Sequence, residues 1–411
     1  MRTLDRRHRT RPASHGGGHA LVVIDIVLIA LLVFALFVGL QRGLLASLGV
    51  VIGVILGGLA GFWLVPVVND FWPWQSTRAV TVIGVVILLL VIGASAGGAV
   101  GAALRRGVDR RRPLRVIDRI LGGALAVLAG ALSLSLIGSS IAATGAPLIS
   151  TAIASSQVLR TIDAFTPRPV TEALARVRSA VLDDGLPQLG ALLDLDVQPS
   201  APPVALDDPE LSVAAASVAR VSGVAFACGT SATGSGFVIA PDRVVTNAHV
   251  VAGVETPVVE LPGLPAREGR IVYFDPVDDL ALIAVDGLGA AALPVVAPLS
   301  PGTAAVVQGY PFGGPFTMVG AEVISAGSVF VPDIYGDSSS LRDIYALAAE
   351  VNPGNSGGPL LTADGAVAGV VFARAEDDVD RGYAMTTAEL EPVLAGAGGW
   401  TDAVSSGSCT G

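Results

Sequence analysis

Apolar residues along this chain follow two different periods, one in each half. Residues 20–40, 44–68, 79–104 and 120–143 are long apolar stretches that contain almost no ionisable side chain apart from Asp25. Each approaches the ~20 residues that an α-helix needs to cross ~30 Å of hydrocarbon. The pattern therefore predicts four transmembrane helices, since helices buried in a soluble domain would carry more charge and a cleaved leader would account for at most one stretch. Beyond residue 212 the apolar runs become short. Those at 243–246, 280–285, 304–307, 366–372 and 382–385, separated by Gly and Pro, predict β-strands. Between the halves, Val170, Leu174, Val177 and Val181 recur at helical spacing and are interrupted by Pro167, Pro169 and Pro187. Short amphipathic helices are predicted there, serving as a spacer, a membrane-surface element or a dimer contact. A stiff Pro-rich linker follows over residues 198–209 and is a candidate site of self-cleavage. The predicted order is a basic tail (1–19), a membrane domain (20–145), a spacer and linker (146–211) and an all-β domain (212–411).

Charge is split along the same boundary. Residues 1–146 carry 14 Arg against five Asp and no Glu, and the remainder carries 11 Arg against 30 acidic side chains. An acidic soluble half lacks the clustered cations that phosphate contacts need, which excludes nucleic acid as an expected partner. Seven arginines lie between Arg105 and Arg119 and five between Arg2 and Arg11. Positive charge marks the cytoplasmic side, and four spans put these two clusters on opposite sides. Counting Arg42 with the loop and Arg78 with the tail favours the loop inside and the β domain outside, although three spans would reconcile both clusters. The two cysteines, Cys228 and Cys409, bracket the β domain. A disulfide between them would suit an oxidising compartment, and two unrelated buried thiols are the alternative. Cysteines and histidines are too few for a zinc site, and neither metal nor cofactor is expected.

Candidate chemistry concentrates in Asn352-Pro353-Gly354-Asn355-Ser356-Gly357-Gly358-Pro359 and Thr246-Asn247-Ala248-His249-Val250. Glycines around a serine allow a tight turn that presents its hydroxyl and aims the amides of Gly354 and Ser356 at one point, where an oxyanion would sit. A serine hydroxyl needs a base, and His249 is the only histidine after His19. A carboxylate must then fix the imidazole tautomer. Asp279, at the entrance of a buried strand, is the choice over Asp278, which would face the other way in an extended chain.

These blocks, with Asp279-Leu280-Ala281-Leu282, Gly234-Ser235-Gly236-Phe237-Val238 and Gly309-Tyr310-Pro311-Phe312-Gly313, resemble the HtrA branch of the chymotrypsin-like serine proteases. The resemblance implies two six-stranded antiparallel barrels over about 212–290 and 291–395, with no PDZ domain in the short remainder, a C-terminal tail packed behind the second barrel, and an extended polypeptide substrate. It also implies a primary pocket walled by Val371, Phe372, Ala373 and Tyr383. Glu350 would then stand at the pocket floor, favouring arginine or lysine there, or else face solvent. Asn355 stands where trypsin-like zymogens carry an activating aspartate, so that switch is missing. In the other half, Ile24-Asp25, Gln41-Arg42-Gly43 and Asp118-Arg119-Ile120-Leu121-Gly122-Gly123 resemble the CvpA family of inner-membrane proteins. Together the halves have the layout of actinobacterial membrane-anchored periplasmic proteases of the MarP type. That resemblance implies a serine endopeptidase acting on envelope proteins in acid or envelope stress. Two rivals remain open: a binding module on a protease fold, and a transporter or channel with a regulatory protease domain, for which Asp25 is the only feature.

Overall fold

The computed structural model describes residues 16–71, 78–108, 112–143, 149–182, 187–189, 204–226, 230–376 and 378–410. Cys228, residues 1–15 of the basic tail and residues 198–203 of the Pro-rich linker lie outside these. Val22–Ser135 form one compact unit, and Leu136–Gly411 belong to a second.

Four long helices come first: α1 (Gly16–Arg42), α2 (Leu44–Phe71), α3 (Arg78–Val108) and α4 (Arg112–Ala143). Each contains a span long and apolar enough to cross a membrane. Large apolar side chains such as Phe34, Ile55, Leu88 and Leu128 are exposed on their outer faces, and the seams between helices are made of glycine. A Cβ added to Gly53 would lie 2.0 Å from the Gly93 carbonyl oxygen, and one added to Gly97 would lie 2.0 Å from that of Gly49. Backbones this close require residues without side chains, the usual solution where lipid supplies no hydrophobic drive between helices. α1 and α4 meet similarly at Gly39, whose added Cβ would lie 2.4 Å from the Gly122 oxygen. Two of the segments that resemble CvpA, those around Gln41 and Asp118, converge here. Asp118 is buried, pairs with Arg105 at 3.0 Å and accepts a bond from the Leu45 amide at 3.3 Å. Arg105 also donates to the Gln41 carbonyl at 2.9 Å.

The second unit opens with α5 (Ile149–Ala154), α6 (Gln157–Phe165) and α7 (Arg168–Leu182), then the two-residue strand β1 (Gln188–Leu189) and α8 (Pro209–Ala215). α6 and α8 start where a side chain accepts an otherwise orphaned amide: Ser156 from Leu159, and Asp208 from Glu210 ahead of Pro209. The first sheet contains β2 (Val218–Ala225), β3 (Thr230–Ala240), β4 (Arg243–Thr246), β5 (Val258–Glu260), β6 (Arg267–Glu268), β7 (Arg270–Asp275) and β8 (Leu280–Ala284). Its spatial order is β6-β5-β2-β3-β4-β8-β7, and the short helix α9 (Ala248–Val251) lies between β4 and β5. The second sheet contains β9 (Ala304–Gly309), β10 (Thr317–Pro332), β11 (Ser339–Ala348), β12 (Pro359–Leu361), β13 (Val367–Ala375) and β14 (Arg381–Thr386). Its order is β1-β13-β12-β9-β10-β11-β14, closed by a β13–β14 pairing, and α10 (Glu391–Gly396) follows. This is the chymotrypsin-like double barrel behind a helical membrane region.

Two details depart from the sequence reading. Each sheet has seven strands instead of six, because the two-residue β6 extends the first and the upstream β1 joins the second. The C-terminal tail was expected behind the second barrel, yet it returns to the first. Val404 donates to the Ile271 carbonyl at 2.9 Å, and the amide of Gly253 donates to Ser406 at 3.1 Å. The barrels dock through a shared apolar cluster in which Phe237, Leu282, Val306 and Phe372 take part. That docking sets the relative position of everything carried on their facing loops.

Candidate active site

His249 sits on α9, one turn beyond β4. Asp279 occupies a left-handed backbone position with φ 55°, which a non-glycine residue adopts only when its surroundings enforce it. Here Asn247 enforces it, donating through Nδ2 to the Asp279 carbonyl at 2.9 Å. The Asp279 carboxylate, 3 % exposed, then grips His249 twice: Oδ1 accepts the His249 amide at 2.9 Å, and Oδ2 lies 2.8 Å from Nδ1. This two-point contact puts the proton on Nδ1 and leaves Nε2 as the basic nitrogen. Asp278 takes no part, and its amide is bound by Asp275 Oδ1 at 3.1 Å. Burial and the nearby Asp275 push its carboxyl above the usual range.

Ser356 follows β11 on the loop that leads into β12. Gly354 and Gly357 have φ of 92° and 80°. A Cβ on the first would lie 2.4 Å from the Tyr310 oxygen, and one on the second 2.2 Å from the Ser235 oxygen, so both conformation and space demand glycine. The amides of Gly354 and Ser356 have no acceptor among the described residues. Ser356 Oγ and His249 Nε2 are both buried and without a hydrogen-bond partner among the described residues; in unliganded sites this bond is commonly looser than in the reacting complex.

His249, Asp279, Gly354 and Ser356 line one cavity of about 500 Å³. Of the five residues assigned to the specificity pocket, Phe372 borders this cavity. Val371, Ala373 and Tyr383 are fully buried nearby on β13 and β14. Glu350 is exposed and accepts a bond from Asn352 Nδ2 at 3.0 Å. Cys409 lines the same cavity and is disulfide-bonded. Pro187 and Leu189 line it too, because β1 pairs in parallel with the β13 edge at Arg374 and Ala375.

Three residues that the sequence reading passed over carry much of this geometry. Asn247 and Ser235 stood inside the quoted motifs, where their polarity was the available signal. Arg342 gave none. It is 1 % exposed, lines the cavity and stacks its guanidinium over the Phe372 ring at 5.8 Å. Burial pulls it below the usual arginine range, opposed first by Asp279 and then by Asp278, Glu389 and Asp275. No cluster that could hold a metal occurs among the described residues.

Both halves of the chain are similar to known proteins. Residues 234–370 match the trypsin-like peptidase domain, and residues 24–167 match the colicin V production protein family. The chain is similar to serine protease Rv3671c of Mycobacterium tuberculosis, 36% identical over 313 residues, covering 74% of this chain and 78% of that protein. It is also similar to the putative serine protease HhoB of Synechocystis, 40% identical over 163 residues and 37% of each chain. Among solved structures, the active form of the Rv3671c protease from M. tuberculosis aligns with a TM-score of 0.49 at 38% identity, covering 54% of this chain and 99% of that one.

Proposed function

Because this chain belongs to the family of membrane-anchored serine proteases that includes Rv3671c, with a trypsin-like peptidase domain behind a colicin V production-type membrane domain, we propose that His249, Asp279 and Ser356 form its catalytic triad. His249 Nε2 takes the Ser356 proton as Oγ attacks the scissile carbonyl and later returns it to the leaving amine. Asp279 holds the tautomer and stabilises the imidazolium. The amides of Gly354 and Ser356 receive the oxyanion. The observation that carries this reading is the two-point grip of Asp279 on His249, beside a serine whose neighbouring amides have no other acceptor.

The substrates in this reading are extended segments of envelope proteins, cleaved outside the cytoplasm under acid or envelope stress, with the linker before α8 open to self-cleavage. Several relatives bear the name periplasmic serine endoprotease, and the disulfide-bonded Cys409 suits an oxidising compartment. Cys228 is its partner in this reading, as the chain's only other cysteine. Val371, Phe372, Ala373 and Tyr383 wall the primary pocket in this reading, and the exposed Glu350 faces solvent instead of forming its floor. The test is to treat the full chain in detergent with a fluorophosphonate and map the adduct. Labelling of Ser356, abolished in His249→Ala, is expected; a full-length protein that hydrolyses peptides without labelling there would refute the assignment. A phosphatase fusion after residue 200 that is inactive would reverse the topology.

A further inference from the structure

An oxyanion site made of two backbone amides is only as good as the peptide planes that carry them. The Gly354 amide shares a plane with the Pro353 carbonyl, which the Phe312 amide holds at 2.5 Å. The Ser356 amide shares a plane with the Asn355 carbonyl, which the Gly358 amide holds at 2.9 Å. Because a trans peptide points its N–H opposite its C=O, these bonds aim the two amides. Between them lies the Gly354–Asn355 plane, and its rotation sets the angle that one amide makes with the other.

That middle plane is held at its amide end within the loop, where Asn355 donates to the Asn352 carbonyl at 3.0 Å, and at its carbonyl end by a residue from the other barrel. Ser235, on β3 and 0% exposed, donates through Oγ to the Gly354 carbonyl at 2.7 Å. Its hydroxyl accepts the Tyr310 amide at 2.9 Å, so both its donor and an acceptor site are used and its rotor is fixed. Its backbone is fixed as well. The Ser235 amide donates to the Ser356 carbonyl at 2.7 Å, and its carbonyl accepts Thr246 Oγ1 at 2.7 Å, three residues before His249. An added Cβ on Gly309 would lie 2.6 Å from Ser235 Oγ, so glycine there is what leaves room for the hydroxyl. The neutral Asn355 spends its side chain on the Asn352 amide at 2.9 Å, within its own loop, and so does not tie the loop to the first barrel.

We propose that Ser235 is a positioning residue that sets the oxyanion amides: its hydroxyl clamps the Gly354 carbonyl, so that the amides of Gly354 and Ser356 converge when the two barrels are docked. The clamp rests on the assignment of Ser356 as nucleophile and adds no group that touches substrate. It acts on the developing oxyanion and leaves ground-state binding alone, which gives it a signature that general destabilisation lacks.

The experiment uses the full chain in detergent and the variants Ser235→Ala and Ser222→Ala. Ser222 is a buried β2 serine whose hydroxyl has no partner among the described residues, and its variant controls for loss of a buried hydroxyl. Fluorophosphonate labelling of Ser356 in the unaltered protein first establishes the nucleophile separately. For Ser235→Ala the expected result is a fall in kcat of ~10²-fold, as for loss of an oxyanion donor, with KM unchanged. Affinity for a peptide aldehyde, which forms an oxyanion on Ser356, should fall by the same factor, whereas affinity for the corresponding product peptide should not move. Ser222→Ala should match the unaltered protein. An unchanged kcat, a loss confined to KM, or aldehyde affinity that fails to follow kcat would overturn the proposal. If Ser235→Ala does not fold, Ser235→Cys replaces it, and the same joint fall of kcat and aldehyde affinity is required.

Discussion

The two units of this chain are held together by opposite means. In the membrane unit the large side chains face outward and the helices touch through bare backbone, as at Gly53–Gly93 and Gly49–Gly97. In the protease unit, large side chains such as Phe237, Leu282, Tyr345 and Phe372 fill the interior. Lipid removes the reward for burying apolar surface between helices, so close packing of small residues takes over. Water restores that reward, and side-chain volume becomes the adhesive.

This contrast can be tested from both sides. The largest effect belongs to Ser356→Ala, which should cut peptide turnover by ~10⁶-fold, as removal of a triad nucleophile does, with melting of both units unchanged in a calorimetric scan. Asp279→Asn should cost ~10⁴-fold through the wrong His249 tautomer, measured on the same peptide. Cys409→Ser should remove a stabilisation of ~2–4 kcal/mol and lower both the melting temperature of the protease unit and its turnover; equal values in oxidised, reduced and Cys409→Ser proteins would leave the bridge without influence. Gly97→Leu should destabilise the membrane unit by at least ~1–3 kcal/mol through overpacking while a short soluble peptide is cleaved as before. If the same change were silent, the glycine seam would not be what holds α2 to α3.

The smallest effect is a matter of pH. Asp278 has its folded pKa raised by burial and by Asp275, so its charge opposes folding. The stability associated with its protonated form is present below the unfolded pKa and lost as pH rises through the folded value. Asp278→Asn should therefore raise the melting temperature slightly at neutral pH, with the gain fading in acid, and should leave turnover intact. A variant as inactive as Asp279→Asn would move the triad carboxylate to Asp278.

How much of this could be read from the sequence depended on how narrowly physics restricts each position. Four spans were legible because hydrocarbon thickness fixes the length of an apolar run. His249, Asp279 and Ser356 could be named because few residue types supply a base, an orienting carboxylate and a nucleophile in that order. The glycine seam stands in the sequence as Gly49, Gly53 and Gly57 and as Gly93, Gly97 and Gly101 at four-residue spacing, but spacing alone does not say which helices it joins. Arg342 was not legible, since a lone arginine in a strand reads as a solvated charge until the fold buries it. The return of the tail to the first barrel was not legible either. It depends on bonds between residues far apart in sequence, from Gly253 to Ser406 and from Val404 to Ile271.

The short strand β1 has a kinetic consequence. Arg374 and Glu376 donate their amides to the carbonyls of Pro187 and Leu189 at 3.2 and 3.1 Å, on the edge of β13 that borders the catalytic cavity. A segment tethered to its own binding edge is present at an effective concentration on the order of millimolar, however dilute the enzyme. A parallel pairing only two residues long holds it weakly, so it is a displaceable occupant. Any polypeptide that uses this edge competes first with the enzyme's own upstream chain. Substrates that use this edge would have to be long enough to gain more strand contacts than β1 gives up.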